Sequence, residues 1–244
     1  MITRGIAINA LLSAMPEERP NPLSRILSSA TAVLSYFRGS RDPSIDSRQA
    51  AALAQVDKRN WSAQLLKSLE WRRFEELGVA YFEALGYQSS IARSAVRTGL
   101  DIRLIAAGDK DASLVLLCKA WDAYRVGIKA ARELRAAMTA AGLAEGVLLT
   151  AGRFTPEAVA YARQQNMRLI DGAGLLAGIA ALAPEKARAL LEFATEGDFL
   201  TPTCPSCSLK MVSRKSTRDG RKFWGCRNYP RCKQMFADAA HAPS

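Results

Sequence analysis

The chain has 244 residues, 49% of them hydrophobic, which is enough for one medium core and a small second module. Its 34 Lys+Arg against 23 Asp+Glu leave a net charge of +11, which favours polyanionic partners, nucleic acid first and an anionic membrane surface second. No apolar run approaches the roughly 20 residues that span a bilayer, and "GIAINALLSAM" lacks a signal-peptide pattern, so a cytoplasmic protein with reduced thiols and no membrane association is expected.

Residues 1–59 are turn-rich and polar at "PEERPNP" and "RGSRDPSIDSR", which flank a short predicted helix, "LSRILSSATAVLSYF". Partial flexibility is expected there. Phe74, Leu77, Tyr81 and Leu85 recur at helical spacing and predict a helix with one buried face, stopped by Gly86. "YQSSIARS" and "LDIRLIAA" read as strands, "GDKDA" as a turn and "SLVLLCKA" as a third strand. "VGIKAARELRAAMTAAG" is a helix ending at Gly142, and "GVLLT" is a short buried strand. "TPEAVAYARQQ" is a helix with Thr155 as N-cap and Pro156 in its first turn, and "MRLID" is a strand. "GAGLLAGIAAL" and "APEKARALLEFA" are helices, and "EGDFLTPT" reads as a linker to a separate cysteine module. Alternating strands and helices predict an α/β layer fold. The expected division is 60–183 for this domain, 184–200 for a helix and linker, 201–237 for the cysteine module and 238–244 for a tail.

"LVLLCKAW" runs five apolar residues into Lys119. If the turn closes a symmetric antiparallel hairpin about Lys110, Asp101 lies across from Lys119 and Arg103 across from Leu117. A carboxylate and a lysine then share one face at the end of a sheet. Spacing alone leaves open whether they form an ordinary cross-strand ion pair or a catalytic pair. Cys118 reads as a small core residue, with a redox role as the lesser alternative. Lys129 and Arg132 suit either phosphate contact or a solvated helix face. His241, in a polar tail, reads as neither ligand nor base.

The ordered set "WRRFEELGVAYFEALGY", "GLDIRL", "LLCKAW", "VGIKAAREL", "GVLLTAGRFTPEAVAYA" and "LIDGAGLL" resembles the Mrr-type restriction endonuclease domain of the PD-(D/E)XK nuclease superfamily, over residues 60–182. The resemblance implies a mixed sheet flanked by helices and a Mg²⁺-dependent DNA endonuclease. It makes Glu75 the helix acid, Asp101 the metal-binding aspartate and Lys119 the catalytic lysine. Acidic oxygens suit Mg²⁺, which activates water and stabilises phosphate charge, while the lysine positions and polarises the attacking water. Two residues before the lysine the family carries Glu or Gln; here it is Leu117. The Cys118 carbonyl, or a carboxylate from elsewhere such as Asp122 or Glu133, can take its place. Otherwise the domain is degenerate and binds DNA without cutting it.

The module "CPSCSLKMVSRKSTRDGRKFWGCRNYPRCKQ" has the spacing C-x₂-C-x₁₈-C-x₅-C. Cys204, Cys207, Cys226 and Cys232 suit a closed tetrahedral Zn²⁺ site with a structural role, in a segment too short for a core of its own. "CPSC" and "FWGCRNYPRC" resemble the C-terminal zinc ribbon of bacterial type I topoisomerases, with Ser208 where that family usually has Gly. Lys215, Arg221, Lys222, Arg227 and Arg231, interleaved with Phe223, Trp224 and Tyr229, suit backbone neutralisation and base stacking. Phe223 and Trp224 suit a small ribbon core equally well. The expected partner is DNA, duplex or single-stranded, held by the ribbon and cut by the α/β domain. A non-catalytic DNA-binding protein is the rival, and a protein-docking module using the ribbon is the third class. The oligomeric state stays open, a homo-oligomer included.

Overall fold

The structure, a computed structural model, describes residues 56–237 apart from 94–99, 107, 110, 112 and 121–124; for 91–93, 100 and 101 it describes the backbone alone. The helix expected in the first 59 residues, the turn residue Lys110, Asp122 and His241 lie outside the described residues. Helices α1 (Ala63–Ser68) and α2 (Trp71–Ala84) lead into strands β1 (Gln88–Arg93), β2 (Leu100–Ile105) and β3 (Leu114–Lys119). Then come β4 (Arg125–Val126), α3 (Ile128–Ala141), β5 (Glu145–Thr150), β6 (Arg153–Phe154), α4 (Pro156–Gln164) and β7 (Met167–Ile170). Helices α5 (Gly172–Ala180) and α6 (Pro184–Thr195) complete the α/β body, and β8 (Val212–Lys215), β9 (Lys222–Gly225) and β10 (Met235–Ala237) form the ribbon.

The main sheet runs β1-β2-β3-β5-β7, antiparallel across its first three strands and parallel from β3 onward. It is the mixed sheet flanked by helices that the sequence predicts. Because β3 is covered on both faces, its sequence is almost continuously apolar rather than alternating. Leu114, Leu116 and Cys118 face the layer of α2, α5 and α6, whereas Val115 and Leu117 face α3. A pair too short to read from sequence, β4 beside β6, runs parallel.

Local signals hold where they are strong. Thr155 Oγ1 accepts from Ala158 N at 3.3 Å with Pro156 opening the helix, and Gly142 ends α3 at φ 69°. Leu85, expected on the buried face of α2, is instead its C-cap and 40% exposed, because the helix has ended; Phe82 is buried in its stead. Gly78 lets α2 lie close on the sheet: a Cβ there would sit 2.9 Å from Cys118 Sγ and 2.9 Å from Leu149 Cδ2.

The hairpin register differs from the symmetric expectation by two residues. Arg103 pairs with Val115 and Ile102 with Leu116, so the ladder, continued, sets position 101 against 117 rather than 119. The turn is centred one residue early, on Asp109. Ser113 fixes it there: its N–H donates to Leu104 O at 2.8 Å, and its hydroxyl accepts from Ala106 N and donates to Asp109 Oδ2. A shift of two preserves the face, so positions 101, 117 and 119 stay on one side of the hairpin.

The segment read as a linker is packed. Phe199 is fully buried in the core beneath α2, and Thr201 and Thr203 are buried beside it. Glu70 N–H donates to Phe199 O at 2.8 Å. The body and the ribbon accordingly fall within one compact unit, Gly39–Ser244.

Candidate active site and metal centre

Helix α2 connects the two halves of the site. Its N-cap, Glu70, is a buried carboxylate that accepts from Arg72 N, Thr203 N, Thr203 Oγ1 and Lys210 Nζ, the last at 3.0 Å. Trp71 Nε1 donates to Thr203 O at 2.7 Å, and Arg72 Nη2 to Ser208 Oγ at 3.2 Å. The first turn of α2 therefore grips the first zinc-ribbon knuckle. Arg73 reaches the other way, to the carbonyls of Phe193 and Glu196 at the C-terminal end of α6, where a cation is favoured by the helix dipole. At its far end α2 accepts from Lys186 Nζ through Ala84 O at 2.7 Å.

Held in this way, α2 carries Glu75 over the end of β3. Glu75 lies one turn before Gly78, the position that rests on Cys118. Its Oε2 is shielded from solvent and has no hydrogen-bond partner among the described residues. Burial pushes the Glu75 carboxyl up to about 8, opposed by the Arg72 charge and, more weakly, by Lys119; Glu70 and Glu76 add to the rise. An orphaned acidic oxygen of this kind fits a hard cation, which would stabilise the carboxylate that burial disfavours. Neighbouring Glu76 is also raised, to about 7, chiefly by burial and against the pull of Arg73, with which it pairs at 3.5 Å. Cys118 is a core thiol, raised well above its ordinary value by burial and by the Glu75 charge, and so unsuited to redox chemistry.

Lys119 ends β3, its backbone carbonyl accepting from Thr150 Oγ1 at 2.9 Å. Its ammonium pairs with Glu133 Oε2 of α3 at 2.5 Å. The family resemblance offers Glu133, beside Asp122 and the Cys118 carbonyl, as a substitute for the oxygen missing at 117; the ion pair to the lysine is a contact that helical periodicity does not reveal. Leu117 is partly buried against the apolar face of α3. Asp101 sits in β2, paired with Ala92, and its side chain lies outside the described residues.

The ribbon brings its four cysteines together as the spacing requires. One ligand atom from each of Cys204, Cys207, Cys226 and Cys232 lies within 4.8 Å of the others, and among the described residues this is the one such cluster of three or more metal-ligating groups. Knuckle bonds shape it: Ser208 N to Cys204 O at 2.8 Å, and Asn228 N to Cys226 Sγ at 3.4 Å. Burial pushes the Cys226 thiol up to about 12. Four crowded sulfurs, two of them buried, match a Zn²⁺ donor set, which would hold them as thiolates. Ser208 has φ 58°, the left-handed region that explains a glycine at this place in related ribbons.

The basic and aromatic residues of the ribbon divide. Lys215, Arg221, Lys222, Arg227 and Arg231 are exposed, as is Tyr229 at 62%. Arg214 lies over the Tyr229 ring, 5.5 Å from its centroid. Trp224, partly buried, packs against the cysteine core, and Phe223 is half-buried. Lys210 is committed to Glu70 and Thr201 O. Lys129 and Arg132 are exposed on α3.

This architecture is that of a restriction-endonuclease-like α/β domain joined to a C4 zinc ribbon. Residues 66–179 match the family described as "Restriction endonuclease", and residues 201–238 match "Topoisomerase DNA binding C4 zinc finger". The chain thus carries an Mrr-type restriction endonuclease domain followed by a topoisomerase-type zinc ribbon. No curated protein matches it. Among solved structures it is similar to the DNA modification-dependent restriction endonuclease AspBHI, at 17% identity and a TM-score of 0.38, over 80% of this chain and 50% of that one. It is also similar to the MspJI restriction endonuclease in complex with a 27-mer oligonucleotide, at 17% identity and a TM-score of 0.34, over 80% of this chain and 42% of that one. The chain spans half or less of either protein. Among the described residues no helix is long and apolar enough to cross a membrane.

Proposed function

We propose that the chain is a DNA endonuclease that uses a divalent cation, Mg²⁺, to hydrolyse phosphodiester bonds, with the ribbon as a second DNA-binding surface. The observation that carries this reading is the placement of Glu75: an acidic oxygen sealed without a partner at the end of the strand that bears Lys119. Glu75 and Asp101 would hold the cation, which when bound activates water and offsets charge on the phosphate. Lys119, partly exposed and paired with Glu133, would donate to a phosphate oxygen or to the attacking water. Zn²⁺ in the ribbon is structural, since four sulfur ligands leave no open position. The exposed basic residues around Tyr229 suit phosphate contact with one stacking ring, on duplex or single-stranded DNA.

A specific observation favours a second reading, a degenerate domain that binds DNA without cutting it: Leu117 offers no oxygen where the family supplies one. Incubating the purified protein with plasmid, single-stranded and methylated DNA in Mg²⁺ or Mn²⁺ separates the two. Cation-dependent cleavage supports the nuclease. Tight binding with no cleavage of any substrate supports the degenerate reading.

A further inference from the structure

The face of the hairpin that carries the candidate site lacks one oxygen, and the helix opposite that face offers one. Position 117 shares this face with 119, and Leu117 packs there toward α3. On α3, Ala130 and Leu134 are buried against the same layer and fix the helix on the sheet. Glu133, one residue before Leu134, is consequently held at the edge of that contact. There it reaches Lys119, with Oε2 2.5 Å from Nζ and both side chains partly exposed, at 35% and 25%. A salt bridge at a sheet rim has no functional meaning by itself. The second observation is Glu75 Oε2, shielded and without a partner, and acted on by the charge of the same Lys119. Glu133 thus meets the lysine directly from α3, while the unpartnered Glu75 lies on α2 in the opposite layer, one turn before the residue that rests on Cys118.

We propose that Glu133 supplies, from α3, the acidic oxygen that Leu117 withholds from β3. This rests on the nuclease reading and names a further ligand for its cation. A carboxylate has several lone-pair sites, so Glu133 can hold Lys119 through one oxygen while offering the other to a hard divalent ion. The lysine is thereby kept beside the metal rather than left free to swing into solvent. The substitution at 117 is then a relocation of the carboxylate, with an apolar residue filling the vacated position against α3.

The test is a calorimetric titration of the full-length, zinc-loaded protein with Mn²⁺, with DNA cleavage and thermal melting followed in parallel. Glu133→Gln keeps the shape of the side chain and removes its charge. Its Mn²⁺ affinity should fall about tenfold or more, at least the loss that follows removal of an outer-shell partner of a metal site. Melting should stay close to wild type, as the pair is half-exposed. Moving the carboxylate back, in Leu117→Glu with Glu133→Gln, should restore Mn²⁺ affinity. Wild-type Mn²⁺ affinity in a folded Glu133→Gln would overturn the inference and leave the nuclease reading standing. A wild-type protein that neither binds Mn²⁺ nor cleaves would overturn that reading as well, so the two failures are told apart.

Discussion

Within the α/β body, β3 is covered on both faces, by α2 on one side and α3 on the other, and the buried side chains number in the dozens. Within the ribbon the buried hydrophobic cluster comes down, among the described residues, to Cys204, Met211 and Cys226, with Trp224 and Phe236 packed beside them. The first region is organised by apolar area, the second by four sulfurs. They nevertheless share a boundary of a third kind, a buried carboxylate at the start of α2 that finds its partners on the ribbon. The same helix carries Glu75 one turn and a half further on. A module drawn together by four cysteines is therefore built into the frame that positions the candidate catalytic acid, rather than hung from it by a tether.

Removing the zinc should have the largest effect. Structural zinc in finger peptides is worth about 10–16 kcal/mol, far more than so small a core can replace. Metal analysis should return one zinc per chain, and chelation or Cys226→Ser should unfold residues 204–237, seen as loss of hydrogen-exchange protection there. A flexible linker would leave the melting of the body untouched. The packed boundary predicts instead that body melting falls too, because Glu70 loses Thr203 and Lys210. Unchanged body melting would restore the picture of two independent modules.

Glu70→Ala should come next, at about 2–4 kcal/mol, since it strips an N-cap and leaves Thr203 and Lys210 without their buried partner. Glu70→Gln should cost less. Calorimetric melting of both variants tests whether the boundary or the zinc site alone holds the ribbon in place. Basic residues sharpen the contrast further. Lys215→Ala, Arg221→Ala and Lys222→Ala combined should lower the log–log salt slope of DNA binding by about 0.9 per lost contact on duplex, or about 0.7 on single strands. Lys210→Ala should instead lower stability and leave that slope nearly unchanged. The reverse pattern would assign Lys210 to DNA. Ser208→Gly should be the smallest change, within about 1 kcal/mol in chemical denaturation, as relief of the left-handed backbone is set against loss of the Arg72 contact.

Much of this was legible from residues alone. Thr155 followed by Pro156, and Gly142 after an amphipathic run, are local signals whose physics acts within one helical turn. The cysteine spacing carries its own chemistry. What escaped was non-local. The register of β2 and β3 depends on a hydroxyl, Ser113, that recentres the turn, and no hydrophobic pattern distinguishes that from the symmetric form. "EGDFLTPT" resembles any short polar connection until Glu70, more than a hundred residues earlier, is found against Thr203. Glu133 is among the candidates that the residues offer, but its choice of Lys119 as partner rests on how α3 crosses the sheet. Assigning Asp101 and Glu75 relied on family resemblance, because a carboxylate at a strand start or on a helix is common without a function.

The most direct test of the account compares wild type with Lys119→Ala for cleavage of supercoiled plasmid in Mg²⁺ or Mn²⁺, with DNA binding measured by fluorescence anisotropy on the same preparations. The account predicts cleavage by wild type and a loss of at least about 10²-fold in the variant, the scale of removing one charge-stabilising donor, with DNA affinity retained through the ribbon. Cleavage by a purified Lys119→Ala protein at the wild-type rate would contradict it and place the chemistry somewhere other than the end of β3.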